Sequence, residues 1–253
     1  MANLSQSDIL PVGKFLTAEW RYLAMLNFLV DSAILEPLVP SGTELDQWRG
    51  RTYMSLVGFR FLKTKLLGVP VPGYRNFDEV NLRFYVKRVM EGGEGGEVRR
   101  GVVFIREIVP HQAIATVARF AYNEPYVAYP MESKTPQNGA EPGVVQYRWW
   151  ADGKEEHIGV EALGHPQELT EGSEQQFITE HYWGYTRQRD GGTVEYQVEH
   201  PPWRVWETVS SHSQIDVPSR YGASFAEALT APPLSAFLAE GSPVTVRRPR
   251  RIR

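Results

Sequence analysis

Residues 79–90 alternate. Val80, Leu82, Phe84 and Val86 fall on one face of an extended chain, and Glu79, Asn81, Arg83, Tyr85 and Lys87 fall on the other. Successive strand side chains point to opposite faces, so this spacing is the signature of a β-strand. A second apolar run follows at 98–109, and the segment Glu91-Gly92-Gly93-Glu94-Gly95-Gly96-Glu97 joins the two. Two such runs linked by a glycine-rich turn predict a β-hairpin. One face of that hairpin must be covered by a core, which obliges the rest of the chain to supply a layer to pack on it.

The remaining segments supply mostly strands. Residues 52–62 are apolar and aromatic and read as a buried strand. Strand patterns return at 143–150, 174–187 and 193–200, the last two separated by Asp190-Gly191-Gly192. Three segments read as helices. In 17–30, Trp20, Leu23, Ala24 and Phe28 recur at three- and four-residue spacing, and Pro37 and Pro40 then close the segment. Residues 111–119 follow Pro110, and 224–239 is interrupted by Pro232 and Pro233. The stretches 66–76 and 132–142 read as loops, the second a candidate boundary between halves. This many β segments in one chain of 253 residues close more often into a single barrel or sandwich. The expectation is a mainly β (α+β) fold with one domain over 1–246 and a basic, flexible tail over 247–253.

Composition narrows the function. The chain has no cysteine, which excludes a disulfide scaffold, thiolate metal sites and a cysteine nucleophile. Its net charge is −3, yet five arginines stand in the last seven residues, so the body without them carries −8. An acidic body argues against nucleic acid as a partner. No run approaches the roughly 20 apolar residues of a membrane span, and the N-terminus lacks a signal-peptide pattern. The cytoplasm is the default location. The six histidines form no local metal-binding spacing, and phosphate-loop, nucleophile-elbow and dinucleotide motifs are absent, so no metal or cofactor is expected.

The polar row Glu79, Asn81, Arg83 permits two readings. Periodicity alone favours a solvent-facing row, since half-wet antiparallel strands are common. The other reading is a barrel interior with polar groups around a ligand. Arg106 and Glu107 are adjacent within an apolar run, so one of them should face the interior and need a partner. Arg119 ends the alanine-rich helix, where it either satisfies helix carbonyls or offers a fork to a carboxylate. The aromatic clusters at 177–185 and 200–206 read as core.

Four blocks together resemble the YqjF-like family of uncharacterised bacterial proteins. The segment Phe77-Asp78-Glu79-Val80-Asn81-Leu82-Arg83-Phe84-Tyr85-Val86 is similar to the family pattern Phe-x-Glu-x-Asn-x-Arg-x-Tyr-Val. Ala118-Arg119 with Pro125-Tyr126 and Met131, then Phe177-Ile178-Thr179-Glu180-His181-Tyr182, then His200-Pro201-Pro202-Trp203, carry the rest. That family is similar in turn to the acetoacetate decarboxylase-like fold, which implies a closed, cone-shaped antiparallel β-barrel with a few flanking helices. The resemblance places the Glu79, Asn81, Arg83 row inside the cone. It makes Glu79 similar to the pocket glutamate and Arg119 to the charged residue shortly before the nucleophile; the expectation built on this is Glu79 as catalytic acid/base, Arg83 and Arg119 supplying positive charge, and Asn81 and Tyr126 orienting the substrate. It also marks a departure: where the decarboxylases have Pro-Lys with an imine-forming lysine, this chain has Pro125-Tyr126. The implied partner is a small anionic organic molecule such as a carboxylate, and a homo-oligomer stays open. The alternatives are a lyase-type or hydrolytic enzyme on an oxo or carboxylic acid without a Schiff base, and a non-enzymatic interaction protein.

Overall fold

The computed structural model describes residues 13–90, 97–136 and 142–252. The chain opens with β1 (Lys14–Leu29), the short helix α1 (Ser32–Leu35), β2 (Glu44–Leu45), β3 (Tyr53–Leu66) and β4 (Val69–Pro70). The expected hairpin follows as β5 (Phe77–Val89) and β6 (Val98–Val109); its turn at 91–96 lies outside the described residues. Next come α2 (Gln112–Tyr122), β7 (Tyr126–Ala128), β8 (Met131–Lys134), β9 (Gly143–Ala151) and β10 (Lys154–Ala162). The last part holds α3 (Glu174–Thr179), β11 (Trp183–Arg187), β12 (Thr193–Glu199) and β13 (Val205–Gln214). It ends with α4 (Val217–Arg220), α5 (Ala226–Thr230), β14 (Ser235–Arg247) and β15 (Arg250–Ile252).

The fold is mainly β. Its strands run in the order β15-β12-β11-β6-β5-β3-β1-β14-β13-β10-β9-β8, and β12 also pairs with β14 through Val198↔Val246 and Glu199↔Thr245. The pairing path from β14 through β1, β3, β5, β6, β11 and β12 therefore returns to β14. Two pairings, β6 with β7 and β6 with β11, are parallel, and the others are antiparallel.

β5 is buried on both faces for most of its length, which explains its position in the fold. Val80, Leu82, Phe84 and Val86 pack in one core cluster with Tyr147, Trp149, Ile158 and Val160 of β9 and β10. Tyr85, on the opposite face, belongs to a second cluster with Phe59, Phe61 and Phe77. The polar row is not a solvated surface: Glu79 is 2% exposed, Asn81 1% and Arg83 9%.

Four segments differ from the sequence expectation, each for a physical reason. The predicted helix at 17–30 is strand β1. Leu23, Ala24, Met25 and Leu26 are all buried, so no alternation survives to be read. Tyr22 takes a positive φ of 55°, and the register with β3 shifts between Arg21 and Ala24. That bulge moves Trp20 and Leu23 to one side and imitates helical spacing. The predicted strand at 174–187 begins as helix α3, because Ser173 caps it by accepting from Gln176 N at 3.2 Å. The predicted helix at 224–239 stops at Thr230 before the two prolines, and β14 takes over. The tail is not loose: Arg250–Ile252 pairs with β12, and Arg247 donates to Glu199 at 2.8 Å. Among the described residues no helix is long and apolar enough to cross a membrane.

Candidate functional site

The second face of β5 opens onto a cavity of about 240 Å³. Phe77, Glu79, Asn81 and Arg83 line it at two-residue intervals, as one strand face requires. On β6 the lining residues are Phe104 and Glu107, three apart. A bulge allows this: Leu82 pairs with Arg106 and Arg83 with Phe104, leaving Ile105 as the extra residue. Glu107, not Arg106, is thus the member of the adjacent pair that meets the cavity. β1 and β3 contribute Trp20, Leu23, Phe59 and Phe61, and α2 contributes Ile114 and Val117.

Glu79 stands at the centre of the polar side. Asn81 Nδ2 donates to its Oε1 and Tyr126 OH to its Oε2, each at 3.1 Å. Burial pushes its carboxyl up to about 7, against the opposing pull of those two donors and of the Arg83 charge. Two further buried glutamates join it. Glu124 accepts from Thr186 Oγ1 at 2.6 Å and Tyr196 OH at 2.8 Å, and burial drives it to about 7 as well, the Glu79 charge adding to the effect. Glu107 is also raised well above an ordinary glutamate, by burial first and then by the charges of Glu124 and Glu79. Tyr126 is pushed well above an ordinary phenol by burial and by Glu107 and Glu79, so it stays protonated and donates.

Arg83 is the cation of the cavity. Its Nη2 donates weakly to the Ile178 carbonyl at 3.5 Å, its Nε has no acceptor, and no carboxylate pairs with it among the described residues. This is part of a wider pattern. Nine buried side-chain polar atoms lack a hydrogen-bond partner among the described residues, and five belong to residues lining this cavity: Trp20, Thr64, Asn81, Arg83 and Glu107. Buried polar groups are nearly always satisfied, so their concentration in one place marks a site built for something else to bind.

Of the five residues expected at the site, Glu79, Asn81, Arg83 and Tyr126 converge on the cavity. Arg119 does not. It is exposed on α2, and its Nε donates to the Tyr126 carbonyl at 2.6 Å. It borders a separate open depression with Asp190 and Arg251. Its contact holds the backbone of Tyr126, and Arg119 is not among the residues that line the cavity. Glu124 carries no sequence signal, since it sits between the α2 cap at Asn123 and Pro125, where no periodicity operates. No lysine lines the cavity among the described residues. Nor do three or more potential ligands gather as a metal site among them.

This mainly β chain is similar in fold to solved structures of one class, the acetoacetate decarboxylase-like proteins. The acetoacetate decarboxylase of Legionella pneumophila matches with a TM-score of 0.64 at 11% identity, covering 96% of this chain and 88% of its own. An acetoacetate decarboxylase-like enzyme from Sphingomonas wittichii gives 0.63 at 13% identity, covering 100% and 98%. The enduracididine biosynthesis enzyme MppR, complexed with the condensation product of pyruvate and imidazole 4-carboxaldehyde, gives 0.63 at 12%, covering 99% and 94%. At such identities the likeness concerns the fold alone.

Within that class the chain belongs to the DUF2071 family of uncharacterized conserved proteins, which it matches over residues 17–243. The uncharacterized protein YqjF of Bacillus subtilis is 28% identical over 209 residues, 82% of each chain.

Proposed function

We propose that this chain binds a small anionic organic molecule inside a closed, cone-shaped barrel, with Arg83 as the anion's partner. The observation that carries this reading is Arg83 itself, a buried guanidinium without a carboxylate partner among the described residues. An unpaired buried charge is unfavourable, and a ligand carboxylate would satisfy it with a planar, two-pronged contact. Asn81 and Tyr126 would orient the bound molecule. The return of strand pairing from β12 to β14 supports the closed barrel. The carboxylic acid seen on MppR, pyruvate, is consistent with an acid in a pocket of this fold.

The test is a melting-temperature screen with small carboxylates and oxo acids on the wild-type protein and on Arg83→Ala. A binder raises the melting temperature of the wild type, and Arg83→Ala loses that rise while keeping its far-ultraviolet circular dichroism. A screen in which no carboxylate shifts the wild type overturns the reading.

The second reading is proton-transfer chemistry on an oxo or carboxylic acid. It is favoured by Glu79, whose carboxyl titrates near neutrality and so can both give and take a proton. Arg83 would stabilise the developing enolate electrostatically. Exchange of the carbon-bound protons of pyruvate in heavy water, followed by NMR, should be accelerated by the wild type and not by Glu79→Gln. Equal rates with and without protein would remove this reading and leave binding intact.

A further inference from the structure

We infer that the ligand is a carboxylate of about ten non-hydrogen atoms in all, most of them in a flat, apolar body: an aromatic acid instead of a two- or three-carbon oxo acid. This deepens the anionic-ligand reading above and rests on it.

The cavity is divided lengthwise by its strands. The carboxyl and guanidinium groups that line it, Glu79, Arg83, Glu107 and Glu124, come from β5, β6 and the loop before β7. The adjoining wall, from β3, which pairs with β5, and from β1 beyond it, is aromatic. The Trp20 ring meets Phe59 at 5.3 Å and Phe61 at 5.7 Å, both edge-on, and Phe61 stacks on Phe77 at 4.5 Å. Trp20 Nε1 and Thr64 Oγ1 are the unpartnered polar atoms on that side, and neither carries charge.

The cavity is also divided from end to end. Phe77 and Arg83 lie six residues apart on β5, about 20 Å along an extended strand. Beyond Phe61 the lining continues with Leu66, which pairs with Leu16, which pairs in turn with Val246, which pairs with Val198. Leu66 and Leu16 of this apolar girdle lie beyond Phe61, away from Arg83.

Size completes the argument. A cavity of 240 Å³ has room for about ten non-hydrogen atoms, since an apolar cavity of about 150 Å³ takes up benzene. A carboxylate on Arg83 accounts for three of these by its chemistry. A three-carbon acid would therefore leave the aromatic wall and the girdle without contact. A planar ring would cover apolar surface and meet Trp20, Phe61 and Phe77 in the stacked or edge-on arrangements that aromatic groups prefer. Arg83 is the only cationic residue lining the cavity among the described residues, so the site provides for one carboxylate and not two.

The experiment compares three probes by calorimetric titration and melting shift: phenylpyruvate, pyruvate, which lacks the ring, and phenylacetone, which lacks the carboxylate. Phenylpyruvate is expected to bind the wild type at least about tenfold more tightly than either of the others. Leu66→Trp, which narrows the girdle, is expected to weaken phenylpyruvate about tenfold and leave pyruvate unchanged. Should that variant not fold, Phe61→Leu supplies the same comparison with a smaller change. Pyruvate binding as tightly as phenylpyruvate, in an Arg83-dependent way, overturns the inference and leaves the anion reading standing. Phenylacetone binding as tightly as phenylpyruvate overturns the anion reading itself. Binding of none of the three overturns the inference, and the carboxylate screen then decides the anion reading separately.

Discussion

Tyr126 donates its hydroxyl to Glu79 Oε2 at 3.1 Å, and in sequence it follows Pro125, where the resembled decarboxylase pattern reads Pro-Lys. A phenol forms no imine with a carbonyl, and no lysine lines the cavity among the described residues to replace it. Incubating the protein with pyruvate and sodium borohydride should leave its intact mass unchanged. A covalent adduct mapped to any of the six lysines, Lys87 included, would show that imine chemistry persists by another route.

Glu124 makes the cavity's electrostatics measurable. An ordinary glutamate titrates at 4.5, whereas burial holds Glu124 protonated up to about 7. Between those values the folded state binds more protons than the unfolded state, so stability falls as pH rises through the window. Below it both states are protonated and the contribution is constant. Glu124→Gln keeps an acceptor for Thr186 and Tyr196 and removes the titration. The variant should match the wild type at pH 4.5 and exceed it at pH 8 by on the order of 2 kcal/mol. His181 acts with the opposite sign: burial outweighs its contact with Asp46 and lowers it to about 4, so its contribution is lost as pH falls from 6.5. The difference between variant and wild type isolates Glu124 from this background. Melting curves across pH are the measurement, and an offset that is the same at every pH would refute the assignment.

Gly241 shows where the cavity wall depends on backbone. Its φ is +78°, and a Cβ there would stand 2.0 Å from the Trp20 carbonyl oxygen. That carbonyl belongs to the bulge that turns Trp20 and Leu23 toward the cavity. Neither a backbone oxygen nor a left-handed φ can be accommodated by a small side-chain shift. Gly241→Ala should lose about 3 kcal/mol or more in denaturant unfolding. A loss below about 1 kcal/mol would mean that β1 and β14 separate more easily than their register implies.

These residues also show what a sequence can and cannot reveal. The β5–β6 hairpin is legible because alternation is intact from Glu79 to Lys87. The polar row is legible as a row, but which side it faces depends on β9 and β10 covering the other face, and those contacts are remote in sequence. β1 is illegible because burial on both faces erases alternation and its bulge imitates a helix. Glu107 is half legible: adjacency to Arg106 says that one of them turns inward, and only the bulge at Ile105 says which. For Arg119 the sequence offers only a motif, and a motif does not fix the direction of a side chain on an exposed helix turn. The Ser173–Gln176 cap was a readable signal for α3 that the aromatic run beside it obscured.

Arg250 donates to Glu195 at 2.7 Å, and this contact explains why the arginine-rich end is a strand. The Glu195 side chain is fully buried and also accepts from Arg88 and Arg99 at 2.9 Å each. One carboxylate thus holds three guanidiniums, and its loss would leave all three facing one another in a largely dry site. Removing the shared partner of a buried ionic cluster costs about 3–5 kcal/mol. Arg250 is more exposed, at 28%, and its loss leaves Glu195 with two partners. Glu195→Gln should therefore destabilise the protein severalfold more than Arg250→Ala, whose cost should be about 1 kcal/mol. In hydrogen exchange, Arg250→Ala should deprotect the amides of β15 and of the facing residues Thr193–Glu195, and leave β5 protected. Equal destabilisation by the two variants would mean that β15 itself, and not the carboxylate at its centre, holds this edge of the sheet.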